Sequence, residues 1–335
     1  MAGIKTDFYT AAEAGTARAA PVLDPTAQKF ADMLAASAGP PIYNMTPEAA
    51  RGVLDGLQSG PIAQLPADIG TLTLPVGPTG KTEVNVVRPQ GATGRLPVVV
   101  YFHGGGWILG NFKTHERLIR AIANGAQAAV VFVDYARSPE AKYPVAIEQD
   151  YAVTKYVAEH SEEFDVDASR LAIAGDSVGG NMVAAVSLLA KERKTPKIAF
   201  QVMFYPVTDA NLSHDSYETF ADGPWLTRAA MKWFWDAYLP GSAALTDIHV
   251  SPLNASIDEL RGLPPALLIT DENDVLRDEG EAYARKLMQA GVPTVATRYN
   301  GMVHDFVMLN ALADAQPTRS AVRQATEALR SALEK

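Results

Sequence analysis

Five continuous apolar runs, with helical stretches between most of them, restrict the fold of this chain more than any other feature. The runs cover residues 96–103, 128–135, 171–176, 198–206 and 265–274. Unbroken apolar strands are typical of a parallel sheet that is buried on both faces. Segments 113–124, 146–160 and 177–193 read as the intervening helices. The alternation predicts an α/β fold with a mostly parallel, doubly wound sheet.

Helices and two further strands precede the first apolar run. Asp24 and Thr46 are each followed by proline, and a polar cap before proline is typical of a helix start. Residues 71–76 and 82–89 alternate apolar with polar side chains, which predicts half-exposed antiparallel strands. The first 60 residues therefore read as mainly helical, and the sheet begins after them.

A long aromatic segment between residues 206 and 264 interrupts the alternation. It holds Trp225, Trp233 and Trp235, and a helix is predicted from the spacing of Met231, Phe234, Trp235 and Tyr238. Such an insert, together with the N-terminal helices, can cover the carboxyl ends of the strands, where ligands bind in open α/β sheets. We divide the chain into an N-terminal helical part of a cap (1–60), an α/β domain (61–206 and 264–335) and a cap insert (207–263).

Composition and charge exclude several classes of function. The net charge of −9 and the lack of Lys/Arg clusters disfavour nucleic-acid partners and anionic membrane surfaces. The absence of cysteine excludes disulfides, thiolate metal sites and a cysteine nucleophile. No stretch of about 18 apolar residues predicts a membrane span, and the N-terminus lacks the apolar core of a signal peptide. We expect a cytoplasmic protein.

Ser177 lies between one buried strand and the following helix, in the frame Gly175-Asp176-Ser177-Val178-Gly179. This is the G-x-S-x-G pattern of a sharp turn that presents a serine hydroxyl at the sheet edge, beside a helix N-terminus that favours negative charge. A serine in this setting can also be a plain helix cap. The pattern makes Ser177 a candidate nucleophile.

A run of glycines follows another buried strand, at His103-Gly104-Gly105-Gly106. Consecutive glycines are entropically costly, and close approach of backbone N–H groups to a ligand oxygen would offset that cost. The spacing fits neither of the common phosphate-binding glycine patterns, so the alternatives are an oxyanion-binding loop or an ordinary glycine turn.

A nucleophilic serine needs a base and an orienting carboxylate, in the chain order Ser, Asp/Glu, His for this fold. His304 follows a predicted strand at 294–299, whereas His214 and His249 lie in the insert. Asp274 in the loop after the strand is the favoured acid, with Asp271 and Asp209 as rivals. Asp278 and Glu279 are expected to cap the next helix. Of the remaining histidines, His103 is expected to make a structural hydrogen bond, and His115 and His160 to lie exposed on helices.

Four stretches in this order resemble the motifs of the hormone-sensitive-lipase-like esterases, bacterial family IV of the α/β-hydrolases. They are His103–Gly106, Gly175–Gly180, Asp274–Gly280 and His304–Phe306. The resemblance runs from about residue 80 to the end. It implies an α/β-hydrolase fold with a helical cap and a serine carboxylesterase.

The resemblance also implies residue roles. Ser177 would be the nucleophile, His304 the general base and acid, and Asp274 the orienting acid. The backbone N–H groups of Gly105, Gly106 and Val178 would form an oxyanion hole. His103, Gly104 and Asp176 would support it, with Gly104 shaping the loop and Asp176 holding the turn.

The substrates implied are small esters with short to medium acyl chains, hydrolysed without a metal or cofactor. Amides, lactones and short peptides are alternative substrates, because a Ser-His-Asp triad does not discriminate among them. A non-catalytic receptor is a further alternative, disfavoured by the presence of His304. The family also implies a possible homodimer, formed through residues 294–312.

Overall fold

The sheet has eight strands, as seen in a computed structural model that describes residues 21–37 and 39–334. The strands are β1 (Ala67–Leu74), β2 (Thr82–Pro89), β3 (Leu96–Phe102), β4 (Ala129–Asp134), β5 (Val166–Asp176), β6 (Phe200–Phe204), β7 (Ala266–Asn273) and β8 (Thr294–Val303). Their order across the sheet is β1-β2-β4-β3-β5-β6-β7-β8. The pairs β1–β2 and β2–β4 are antiparallel, and all other neighbours are parallel. The predicted fold class is confirmed.

Ten α-helices accompany these strands in the described part of the chain. They are α1 (Pro25–Ala35), α2 (Pro47–Gln58), α3 (Phe112–Ala126), α4 (Val145–Glu159), α5 (Val178–Glu192), α6 (Asp215–Thr219), α7 (Arg228–Tyr238), α8 (Ile257–Leu260), α9 (Arg277–Gln289) and α10 (Gln316–Leu333). Helices α3 and α10 pack together on one face of the sheet, and α4 and α5 pack together on the other. The helices on both faces exclude water from the central strands, which explains their unbroken apolar sequences.

The sequence signals at the helix starts correspond to real caps. The side chain of Asp24 accepts a hydrogen bond from Thr26 N, and that of Thr46 accepts one from Ala49 N. These bonds satisfy N–H groups that lack a partner in the first helical turn. The first 20 residues of the predicted N-terminal helical part lie outside the described residues.

The insert contains helix α7, as its aromatic spacing predicts. Met231, Phe234, Trp235 and Tyr238 are all buried on one side of that helix. Among the residues that the structure describes, no helix is long and apolar enough to cross a membrane.

Parallel strands end at a common edge of the sheet, and this edge gathers the polar residues singled out in the sequence. Strand β3 ends beside His103, β5 ends at Asp176, β7 ends just before Asp274, and β8 ends just before His304. Segments far apart in the chain therefore meet at one place.

Candidate active site

Ser177 occupies a strained turn between strand β5 and helix α5. Its backbone φ is +55°, a left-handed value that is rare for a residue with a side chain. The turn is fixed by a 2.9 Å hydrogen bond from Ser177 N to the Phe204 carbonyl. A side chain at Gly179 would collide with the Phe102 carbonyl, so the glycine lets the helix start against the neighbouring strand.

The structure brings Ser177, His304 and Asp274 together. Ser177 Oγ lies 2.9 Å from His304 Nε2, and His304 Nδ1 lies 2.8 Å from Asp274 Oδ2. The other oxygen of Asp274 accepts a hydrogen bond from Leu276 N, which holds the carboxylate in place. All three side chains are buried. The geometry is that of a serine hydroxyl whose proton can pass to an imidazole.

The hydrogen-bond partners determine the tautomer of His304. A carboxylate can only accept, so Nδ1 carries a proton that it donates to Asp274, and Nε2 is free to accept from the Ser177 hydroxyl. Burial alone would lower the pKa of His304, but the carboxylates of Asp274 and Asp305 raise it above its ordinary value. The imidazole is therefore a stronger base than one in water.

Asp176 holds the glycine loop against the serine turn. Its Oδ1 accepts hydrogen bonds from the Tyr101 hydroxyl at 2.7 Å and from Gly104 N at 3.0 Å. Its Oδ2 lies 3.3 Å from His115 Nε2. Burial opposes the charge of Asp176, but His115 and these hydrogen bonds give a net lowering of its pKa. The carboxylate is therefore a fixed, charged support next to Ser177.

Two histidines beside this carboxylate stand behind the glycine loop. His103 makes the expected structural hydrogen bond, donating from Nδ1 to the Gly104 carbonyl at 2.7 Å. Burial lowers the pKa of His103 to about 3, so it is neutral in the working range. The expectation that His115 lies exposed is wrong, because it is fully buried on the inner side of α3. His160 is exposed, as expected.

A cavity of about 500 Å³ opens in front of Ser177. Ser177, His304, Gly105 and Gly106 lie at its base. Its wall is largely apolar and comes from α1, α2 and the insert, with Leu34, Ile42, Leu54, Trp225, Met231 and Phe234 among the lining residues. An apolar cavity with a few converging polar groups is typical of a small-molecule site.

The rival carboxylates have other partners. Asp209 Oδ2 lies 2.9 Å from His214 Nε2, within the insert. Asp278 and Glu279 lie in the first turn of α9, but their carboxylates accept hydrogen bonds from Ser216 N and Thr208 N rather than acting as simple caps. Glu279 is fully buried, and its hydrogen bond from Thr208 N connects α9 to the loop after β6. Of these rival carboxylates, Asp271, within β7, lies close to His304.

Comparison with known proteins identifies the family of this chain. A family profile described as the alpha/beta hydrolase fold matches residues 99–308. The carboxylesterase NlhH of Mycobacterium tuberculosis is 41% identical over 78% of this chain and 82% of its own length. The chain is a hormone-sensitive-lipase-like esterase of the α/β-hydrolase superfamily. Its carboxylesterase class, expected from the sequence motifs, is confirmed.

Solved structures resemble this esterase over nearly its whole length. A thermostable esterase from Pseudomonas putida is 48% identical, with a TM-score of 0.92 over 94% of this chain and 99% of that one. A fungal esterase from Rhizomucor miehei is 38% identical, with a TM-score of 0.87 over 94% and 98% of the two chains. These relatives support carboxylesterase activity on esters.

One residue near the site was given no role by the sequence reasoning, and another was considered only as a rival acid. Asp271 is fully buried, and its oxygens have no hydrogen-bond partner within residues 21–37 and 39–334. Asp305 lines the cavity directly after His304. The only signal for Asp305 was its place beside His304. Asp271 was considered only as a rival acid, because a strand sequence does not show which groups a buried side chain faces.

Proposed function

We propose that this carboxylesterase works through an acyl-enzyme on Ser177, with His304 as general base and acid and Asp274 as the orienting acid. The observation that carries the proposal is the pair of hydrogen bonds on His304, 2.9 Å to Ser177 Oγ and 2.8 Å to Asp274 Oδ2. Each imidazole nitrogen has the partner that its role requires.

In the first half-reaction, Ser177 Oγ attacks the ester carbonyl while its proton moves to His304 Nε2. A tetrahedral intermediate forms, and Asp274 stabilises the imidazolium through Nδ1–H. The C–O bond to the alcohol then breaks, and the alcohol leaves with the proton from Nε2. Water repeats these steps on the acyl-enzyme, which releases the carboxylic acid and restores Ser177.

Backbone N–H groups of Gly105, Gly106 and Val178 are proposed to stabilise the oxyanion. Gly105 and Gly106 line the cavity base beside Ser177, and their N–H groups donate no hydrogen bond within residues 21–37 and 39–334. Val178 begins α5, so its N–H belongs to the first helical turn, where N–H groups lack intrahelical partners. Fixed donors of this kind are typically worth about 3 kcal/mol each in the transition state.

Helices α1 and α2 and the insert 207–263 are proposed to act as the cap that limits acyl length. Leu34, Leu54 and Met231 supply apolar walls from these segments to a cavity of about 500 Å³. Each methylene buried there contributes about 0.8 kcal/mol, or roughly a fourfold gain in kcat/KM, until the cavity is full. We expect kcat/KM to rise from p-nitrophenyl acetate to esters with medium acyl chains and to fall for longer chains. A steady rise through dodecanoate would contradict the cap assignment.

The experiment for the mechanism compares Ser177→Ala with Ser187→Ala on p-nitrophenyl butyrate. Ser187 is a matched control, because it is also buried, lies in helix α5 directly after the Ser177 turn, and its hydroxyl donates a hydrogen bond to Gln201 Oε1. We expect Ser177→Ala to lose nearly all activity, by about a millionfold. Ser187→Ala should stay within a few-fold of the unmodified protein. Activity that survives Ser177→Ala would refute the proposal.

A homodimer through β8, and a cytoplasmic location, are also proposed. Among the strands that the structure describes, β8 lies at the sheet edge and pairs with β7, and Val295 on it is 57% exposed. The next helix, α10, begins at Gln316, beyond the predicted contact segment 294–312. Analytical sedimentation should give twice the monomer mass for the unmodified protein and the monomer mass for Val295→Asp. A monomer at all concentrations would contradict the dimer.

Cell fractionation tests the proposed cytoplasmic location.

A further inference from the structure

Asp305 places a carboxylate on the Nε2 side of His304, whereas Asp274 lies on the Nδ1 side. Asp305 is 8% exposed, and its backbone φ of +65° turns the side chain back toward the imidazole of His304. Oδ1 lies 3.4 Å from His304 Nε2, on the side that faces Ser177. This oxygen has no hydrogen-bond partner among the described residues. A buried carboxylate oxygen without a partner is costly unless a nearby positive charge compensates it.

Trp225 of the insert holds this carboxylate in place. Its Nε1–H donates a 2.9 Å hydrogen bond to Asp305 Oδ2. The indole packs in turn on Phe30 of α1, with ring centroids 5.3 Å apart. The contact therefore joins both segments of the proposed cap to the residue that follows His304.

We propose that Asp305, held by Trp225, is a positioning residue that stabilises the protonated form of His304 from its Nε2 side. The inference rests on the proposed role of His304 as the base. When the proton of Ser177 reaches Nε2, the imidazolium has Asp274 on Nδ1 and the free oxygen of Asp305 near Nε2. At 3.4 Å the oxygen attracts the charge, but the distance is longer than a charge-assisted hydrogen bond. Nε2–H therefore remains available to the leaving alcohol.

The net effect of the surroundings is a raised pKa for Asp305, with burial as the largest cause. His304 and the Trp225 hydrogen bond act in the opposite direction and favour the carboxylate form. Asp176 and His115 also face Asp305, and Asp271, Asp274 and the ring of Tyr205 face His304. Asp305 differs from the other carboxylates because it is hydrogen-bonded to the proposed cap. Its partner Trp225 is a cavity-lining residue of the insert.

The experiment measures kcat/KM for p-nitrophenyl butyrate against pH in Asp305→Asn, Asp305→Gly and Trp225→Phe. An opposite charge at this distance typically shifts a pKa by about one unit or more. We expect the acidic limb of this pH profile, where kcat/KM rises as His304 loses its proton, to shift to lower pH by about one unit in both Asp305 variants. In Trp225→Phe it should shift in the same direction by a smaller amount. Asp305→Gly suits the left-handed backbone, which guards against misfolding.

Trp233→Phe is the matched control, because Trp233 lies in the same insert on α7 and is not among the cavity-lining residues. Its acidic limb should coincide with that of the unmodified protein. The inference alone would be overturned if Ser177→Ala is inactive but the acidic limb of both Asp305 variants lies within about 0.2 pH units of that of the unmodified protein. Full activity of Ser177→Ala would instead overturn the underlying function. If the Asp305 variants do not fold, an unshifted limb in Trp225→Phe refutes the inference.

Discussion

His115 is the buried residue that sequence reasoning placed on the surface, and its removal is expected to be costly. It is fully buried, its Nδ1 lies 2.8 Å from the Thr114 hydroxyl, and its Nε2 faces the Asp176 carboxylate at 3.3 Å. Loss of a hydrogen bond to a charged group costs about 1.5–3 kcal/mol. The cavity left by the ring adds about 2 kcal/mol. We expect His115→Ala to lower the free energy of unfolding by about 4 kcal/mol.

The size of the chain sets the corresponding change in melting temperature. An unfolding entropy of about 2.1 cal/mol/K per residue over 335 residues gives about 0.7 kcal/mol/K, so the melting temperature should fall by about 6 °C. His160→Ala is the control, because His160 is exposed at the end of α4 and its side chain contacts Tyr156, by a hydrogen bond between Nδ1 and Tyr156 O and by ring stacking. Its melting temperature should change by less than about 1 °C. Thermal circular dichroism at a constant scan rate measures both. Equal melting temperatures for the two variants would refute the buried placement of His115.

Three further perturbations test the site. Asp274→Asn keeps the shape but removes the charge that orients Nδ1–H, so kcat should fall by about ten thousandfold in initial-rate assays; a fall below tenfold would contradict that role. Gly106 has a φ of +62°, and a side chain there would strike Phe234, so Gly106→Ala should reduce kcat/KM at least a hundredfold with little change in fold by circular dichroism. Because the pKa of His304 is raised, its base form increases with pH, and kcat/KM should rise through and above pH 6.5; a profile that is flat from pH 5 to 9 would exclude His304 as the base.

Much of the sheet could be predicted because its signals are local. The unbroken apolar sequences of β3, β4 and β5 reflect burial on both faces, and the capping residues Asp24 and Thr46 mark real helix starts. The carboxyl ends of parallel strands share one edge. The strand sequences therefore also indicated that Ser177 and His304 would be brought together.

The residues that were misjudged depend on contacts between distant segments. His115 looks like an exposed helix position because its neighbours Glu116 and Arg117 are charged, yet α3 turns it onto Asp176, 61 residues later. Glu279 looks like a helix-start charge, but its carboxylate satisfies the Thr208 N–H in another loop. Local sequence gives the helix around such a residue but not the element on which it packs.

The identity of the residue that becomes acylated tests the account most directly. Diethyl p-nitrophenyl phosphate reacts with activated serine hydroxyls, and its adduct can be located by peptide mass spectrometry. We expect one adduct per chain, on Ser177, with a rate that falls by orders of magnitude in His304→Ala. An adduct on any other residue, or an unchanged rate in His304→Ala, would contradict the claim that these side chains act as one unit.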